Sequence, residues 1–84
     1  MIGNIIKNMR IDAKLSQKEI ADKLNMADTT ISSYERENSQ PDFKTILKIA
    51  NLCNYDICFI DKNKDIISVN EMSKEDLFIK TKNN

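Results

Sequence analysis

One stretch, Leu15 to Tyr34 (LSQKEIADKLNMADTTISSY), constrains the fold of this chain more than any other. It carries the start and stop marks of two short helices with almost nothing between them. Ser16 precedes Glu19 at the spacing that lets a serine hydroxyl accept from the Glu19 amide while the carboxylate returns to the Ser16 N–H. Leu15 is placed to staple onto Ile20. Ile20, Ala21 and Leu24 then share one helical face. Asn25 follows, a residue that tolerates the left-handed conformation in which helices end. Met26, Ala27, Ile31 and Tyr34 resume an apolar stripe, so a second helix, about 28–36, packs back on the first. The positions left outward on it, Asp28, Thr29, Ser32 and Ser33, are short and polar.

A helix hairpin that presents short polar groups at the start of its second member is the layout of a helix-turn-helix reader of double-stranded DNA. The residues Gln17, Ile20, Ala21, Leu24, Met26, Ile31 and Tyr34, with Glu35 and the later Pro41, resemble the Xre/Cro family of lambdoid-phage-type repressors. The resemblance covers about residues 4–54 and departs in two places: the family usually has Gly where Asn25 stands, and Gly again near Glu37-Asn38. It implies a lambda-repressor-like DNA-binding domain, with the second helix in the major groove and its first turn toward the base edges. Asp28, Thr29 and Ser33 match the family's base-reading positions, and Ala27 or Thr29 is placed to touch a thymine methyl. For Asp28 two roles stay open, capping the helix, which Ala27 cannot do, or accepting from cytosine N4. Gln17 matches the family's backbone-contacting glutamine. Arg36, Asn38 and Lys44 fall where the following loop and helix would meet phosphates, and Lys18 is either a further phosphate contact or a surface charge. The resemblance also implies that Arg10 and Glu35 pair across the first and third helices as a structural ion pair.

The remaining helices are read from periodicity and caps. Ile2, Ile6, Met9 and Ala13, broadened by Ile5, place a first helix over residues 2–13. Pro41 pushes Gln40 to an extended conformation and Asp42 caps a fourth helix over 43–53. There Phe43, Ile46, Leu47, Ala50 and Cys53 form one stripe, flanked by Ile49 and Leu52. Seven apolar positions in these eleven are more than one small core needs, so this helix also meets the C-terminal segment or another subunit.

From Tyr55 the period changes from helical to alternating. Tyr55, Ile57 and Phe59 interleave with Asp56, Cys58 and Ile60; a polar turn, DKNKD, follows; then Ile66, Ile67, Ser68 and Val69 resume. This reads as a β-hairpin, and an isolated hairpin is marginal in water, so it must lean on something. One face would cover the fourth helix and the other a second copy, through Tyr55, Ile57, Cys58, Phe59, Ile60, Ile67 and Val69; a hairpin folded only onto its own domain is the other reading. Ser73, Asp76, Met72 and Leu77 repeat the capping signature and announce a short last helix near 74–80. The expected architecture is therefore mainly α. Four core helices form a DNA-binding domain (1–54), and a β-hairpin with a short terminal helix forms a dimerisation appendage (55–84).

Composition limits the chemistry. No apolar run approaches the eighteen or so residues of a membrane span, and no signal-peptide pattern opens the chain, which points to the cytoplasm. The 84 residues contain no His, so nucleophile–base pairs and a zinc quartet have no basis. Gly3 is the only glycine, which removes phosphate-cradling loops. Cys53 and Cys58 read as core or interface residues rather than a disulfide framework. No metal or cofactor is called for, and no enzyme. The net charge is zero, with eight Lys/Arg against seven Asp/Glu over 1–54 and five against six over 55–84. Affinity for DNA must then come from a local patch, which predicts modest affinity per subunit and a homodimer on a pseudo-palindromic operator. The alternative function keeps the fold and makes it an antitoxin or protein-interaction module, with a protein partner on the C-terminal hairpin.

Overall fold

The computed structural model describes residues 1–63 and the backbone of 66–68. Four helices follow one another: α1 (Ile2–Asp12), α2 (Gln17–Leu24), α3 (Asp28–Glu35) and α4 (Phe43–Leu52). Each donates one isoleucine, Ile6, Ile20, Ile31 and Ile49 in turn, to a common centre where all four are fully buried. Burying such a side chain stabilises by about 1.5–3 kcal/mol, so these four positions supply much of the drive to pack. Met9, Ala21, Ala50 and Cys53 complete the core, with Leu15, Leu24, Met26, Tyr34 and Ile57 packed against it.

The helix ends explain why the connections are so short. The Ser16 hydroxyl accepts from the Glu19 amide at 2.9 Å, and the Glu19 carboxylate accepts from the Ser16 N–H at 2.8 Å. Asp42 accepts from the Thr45 amide at 2.8 Å, and hydrogen bonding from the Thr45 side chain and then its amide holds the Asp42 carboxyl below the usual range. All four helices stop at a residue with positive φ: Lys14, Asn25, Glu37 and Asn54. In each case the next residue donates back into the last turn, Leu15 to Arg10, Met26 to Ala21, Asn38 to Ser33 and Tyr55 to Ala50, at 2.8–3.1 Å. This is the Schellman closure, achieved here without glycine.

Two side chains differ from the expectation of periodicity. Phe43 and Ile5, assigned to buried stripes, are 48% and 46% exposed. Both lie instead on the rim of an apolar groove of about 380 Å³ that is also lined by Ile2, Met9, Ile46, Tyr55 and Ile57. Helical spacing defines a stripe but not where the stripe runs off the core. Beyond α4, β1 (Cys58–Ile60) pairs antiparallel with β2 (Ile66–Ser68), with Phe59 opposite Ile67. β1 is three residues long, shorter than the alternation predicts. Tyr55 and Ile57 precede them: Tyr55 donates from its hydroxyl to Asp12 at 2.9 Å, and Ile57 packs on the helical core. Ile57 is half-buried by this contact with its own domain. Phe59 and Ile60 are both more than half exposed, so the two faces of β1 are not divided into a covered and an open one. Val69 and the expected helix near 74–80 lie outside the described residues.

Candidate nucleic-acid interface

Among the described helices α2 and α3 pack together most closely, and α1 clamps the pair. The clamp is ionic. Arg10 Nε donates to Glu35 Oε2 at 2.6 Å and Nη2 donates to Glu35 Oε1 at 3.0 Å. The guanidinium also donates to the Leu15 carbonyl at 3.1 Å, and Gln17 Nε2 donates to Glu35 Oε1 at 3.0 Å. One carboxylate thereby holds α1, the start of α2 and the end of α3. Its side chain is only 5% exposed. Burial works against its charge, but the hydrogen bonds from Arg10 and Gln17 outweigh that cost and hold its pKa below the usual carboxylate value. The same contact raises the pKa of Arg10.

A second clamp joins the same helices. Gly3 lies against the end of α3 so closely that a Cβ there would stand 2.6 Å from the Glu35 carbonyl oxygen and 2.7 Å from that of Tyr34. The Gly3 N–H donates to the Glu37 carboxylate at 2.9 Å, and the Met1 amino group meets the same oxygen. Glu37, whose φ is +62°, takes the left-handed conformation near the place where the resembled family usually has glycine. No spacing in the sequence joins Gly3 to Glu37. The only available signal was a lone glycine inside an apolar helical pattern, which marks a close backbone approach.

At the start of α3, Ala27, Asp28 and Thr29 are exposed, and further along Ser33 is half-buried. The structure decides one open point: Ala27 is the N-cap, without a side-chain cap bond, and Asp28 is the first helical residue. Asp28 therefore does not cap α3, although its charge suits the positive end of the helix. Ser33 shares a 2.9 Å hydrogen bond with the Ser39 hydroxyl. Of the expected phosphate contacts, Arg36, Asn38 and Lys44 are exposed around the far end of α3 and the first turn of α4. Lys18 forms an exposed 3.3 Å pair with Asp22. Gln17 is half-buried and committed to Glu35 through one N–H, with its second N–H and its oxygen still to place. Among the described residues no cluster of three metal-ligating side chains occurs.

A family model described as Helix-turn-helix matches residues 6–60, a span that holds the Arg10–Glu35 clamp and the four helices from the middle of α1 onward. The chain belongs to the helix-turn-helix family. Among curated relatives, the HTH-type transcriptional regulator ImmR of Bacillus subtilis (strain 168) is 37% identical over 82 residues, covering 98% of this chain and 62% of the relative. The HTH-type regulator YqaE of the same organism, itself uncharacterized, is 30% identical over 64 residues, covering 76% of this chain and 55% of the relative. The cryptic phage CTXphi transcriptional repressor RstR of Vibrio cholerae is 27% identical over 92 residues, covering 94% of this chain and 83% of the relative. The helix-turn-helix chain thus spans less than two thirds of the first two relatives. No solved structure matches it. No helix among its described residues is long and apolar enough to cross a membrane.

Proposed function

We propose that this helix-turn-helix chain is a sequence-specific, double-stranded-DNA-binding transcriptional regulator of the repressor type. It would act in the cytoplasm as a homodimer on a pseudo-palindromic operator. The observation that carries the reading is the arrangement of α3: its inner side is locked by Arg10–Glu35–Gln17, while Ala27, Asp28 and Thr29 at its start are exposed. A rigid helix with a free polar first turn is what major-groove reading requires. Thr29 and Ser33 then read base edges, Asp28 accepts from cytosine N4, and Ala27 meets a thymine methyl. Gln17, Arg36, Asn38 and Lys44 fix the register on phosphates. The names of ImmR and RstR, a regulator and a repressor, support the same reading.

Zero net charge makes the second copy part of the mechanism, because one subunit neutralises few phosphates. Selection from a random duplex pool with the full chain tests the reading. A two-fold symmetric motif with half-sites about one helical turn apart supports it. Recovery of the starting pool overturns it. A protein-interaction role, with a partner on β1, rests on the exposure of Phe59 and Ile60 (55% and 61%); a hetero-complex from a chain that stays monomeric on DNA would favour it.

A further inference from the structure

The hydroxyl of Ser33 on α3 does not stand alone. Ser39, in the loop between α3 and α4, lies with its Oγ 2.9 Å from the Ser33 Oγ. The loop is folded back on the same residue a second time, since the Asn38 N–H donates to the Ser33 carbonyl at 2.9 Å. That return is set by the left-handed Glu37, whose side chain is anchored on the Gly3 N–H. Ser39 is therefore held by backbone geometry at a defined distance from a side chain on the face proposed to read DNA.

A serine hydroxyl has one proton and two lone pairs, and by itself it reads donors and acceptors on base edges alike. A neighbour 2.9 Å away ties that choice to its own proton. If Ser33 donates to Ser39, it offers the groove only lone pairs and selects amino groups such as adenine N6 or cytosine N4. If Ser39 donates, Ser33 keeps its proton for guanine O6, thymine O4 or a purine N7.

We infer that Ser39 is a positioning residue for specificity: it orients the Ser33 hydroxyl and so sets which base edge Ser33 accepts, without itself contacting the base. This rests on the DNA-reading function proposed above. The test compares the full chain with its Ser33→Ala, Ser39→Ala and Ser39→Thr variants by selection from a random duplex pool, followed by titration on the selected duplex and on unselected duplex. Ser39→Ala is expected to relax preference at the same base pair that Ser33→Ala relaxes, by about fivefold, the factor that goes with one hydrogen bond. Its affinity for unselected duplex stays unchanged, and Ser39→Thr, which keeps the hydroxyl, retains the original preference. A uniform loss on all sequences, a change at a different base pair, or an unchanged preference in Ser39→Ala overturns the inference while leaving the function standing. If the unsubstituted chain enriches no sequence, both fall together.

Discussion

Arg10 and Glu35 meet through two parallel hydrogen bonds of 2.6 and 3.0 Å, across 25 residues of chain. The two side chains are 14% and 5% exposed, so neither charge is left to water. A pair of this kind adds little net stability over an apolar pair of the same shape, but removing one partner strands the other. Arg10→Met is therefore expected to cost about 3 kcal/mol, and the double variant Arg10→Met/Glu35→Met to recover most of it. Urea unfolding of the four members of the cycle measures the coupling. Additive losses would show that the two residues act separately.

Acid should loosen the same joint. The folded pKa of Glu35 lies below its ordinary value, so its contribution is complete above about pH 4.3 and is lost as pH falls through the folded value. Glu37 and Asp42, also lowered, act in the same direction. Stability followed from pH 7 to 2 should drop below about pH 4, and Glu35→Gln should flatten that limb. An unchanged acid limb in Glu35→Gln would assign the effect to the other two carboxylates.

Gly3→Ala tests the backbone contact between α1 and α3. The new methyl meets two carbonyl oxygens at 2.6 and 2.7 Å, which cannot yield as a flexible side chain would. A loss of about 1–3 kcal/mol is expected in thermal unfolding. A neutral substitution would mean that α1 slides freely over the end of α3.

The left-handed helix ends separate local strain from tertiary contact. Lys14, with φ of +61°, makes no side-chain hydrogen bond or ion pair among the described residues, so Lys14→Gly should relieve strain and stabilise by about 0.5–1 kcal/mol after the added freedom of the unfolded chain is counted. Glu37→Gly relieves the same strain but deletes the acceptor of the Gly3 N–H. Its thermal midpoint should therefore rise less than that of Lys14→Gly, or fall.

On DNA, Lys44→Ala is expected to weaken binding to all duplexes alike and to lower the dependence on salt by about one phosphate contact. Ser33→Ala should instead change the preference among sites, by about 1–3 kcal/mol at the affected base pair. Gln17→Ala disturbs Glu35 as well as any phosphate, so Lys44 is the cleaner probe. Equal losses for Ser33→Ala on selected and random duplex would remove Ser33 from the reading face.

What was legible in the amino-acid order is what local chemistry controls. Ser16 with Glu19, Asn25 and Asp42 mark their helix ends because the bonds involved reach no more than five positions along the chain. The four core helices could be placed from such marks and from apolar spacing. Phe43 and Ile5 could not be sorted from their buried neighbours, since one stripe serves both the core and the groove beside it. The roles of Gly3 and Glu37 depend on an approach between distant segments that no local pattern encodes. Asp28 was ambiguous because cap and first-turn positions differ by a single residue. The Arg10–Glu35 pairing was accessible only through family resemblance, as spacing alone does not bring the two residues together.

The glycine-free helix ends carry one further consequence. With the turns between α1, α2 and α3 reduced to a left-handed residue and its immediate followers, these helices are set in fixed phase with one another. A single residue inserted at Asn25–Met26 would rotate α3 by about 100° about its own axis, putting Thr30 in the buried place of Ile31 and turning Ile31 toward solvent. A lineage built on this domain is thus free to explore new targets by exchanging side chains, while the length of its turns is closed to change.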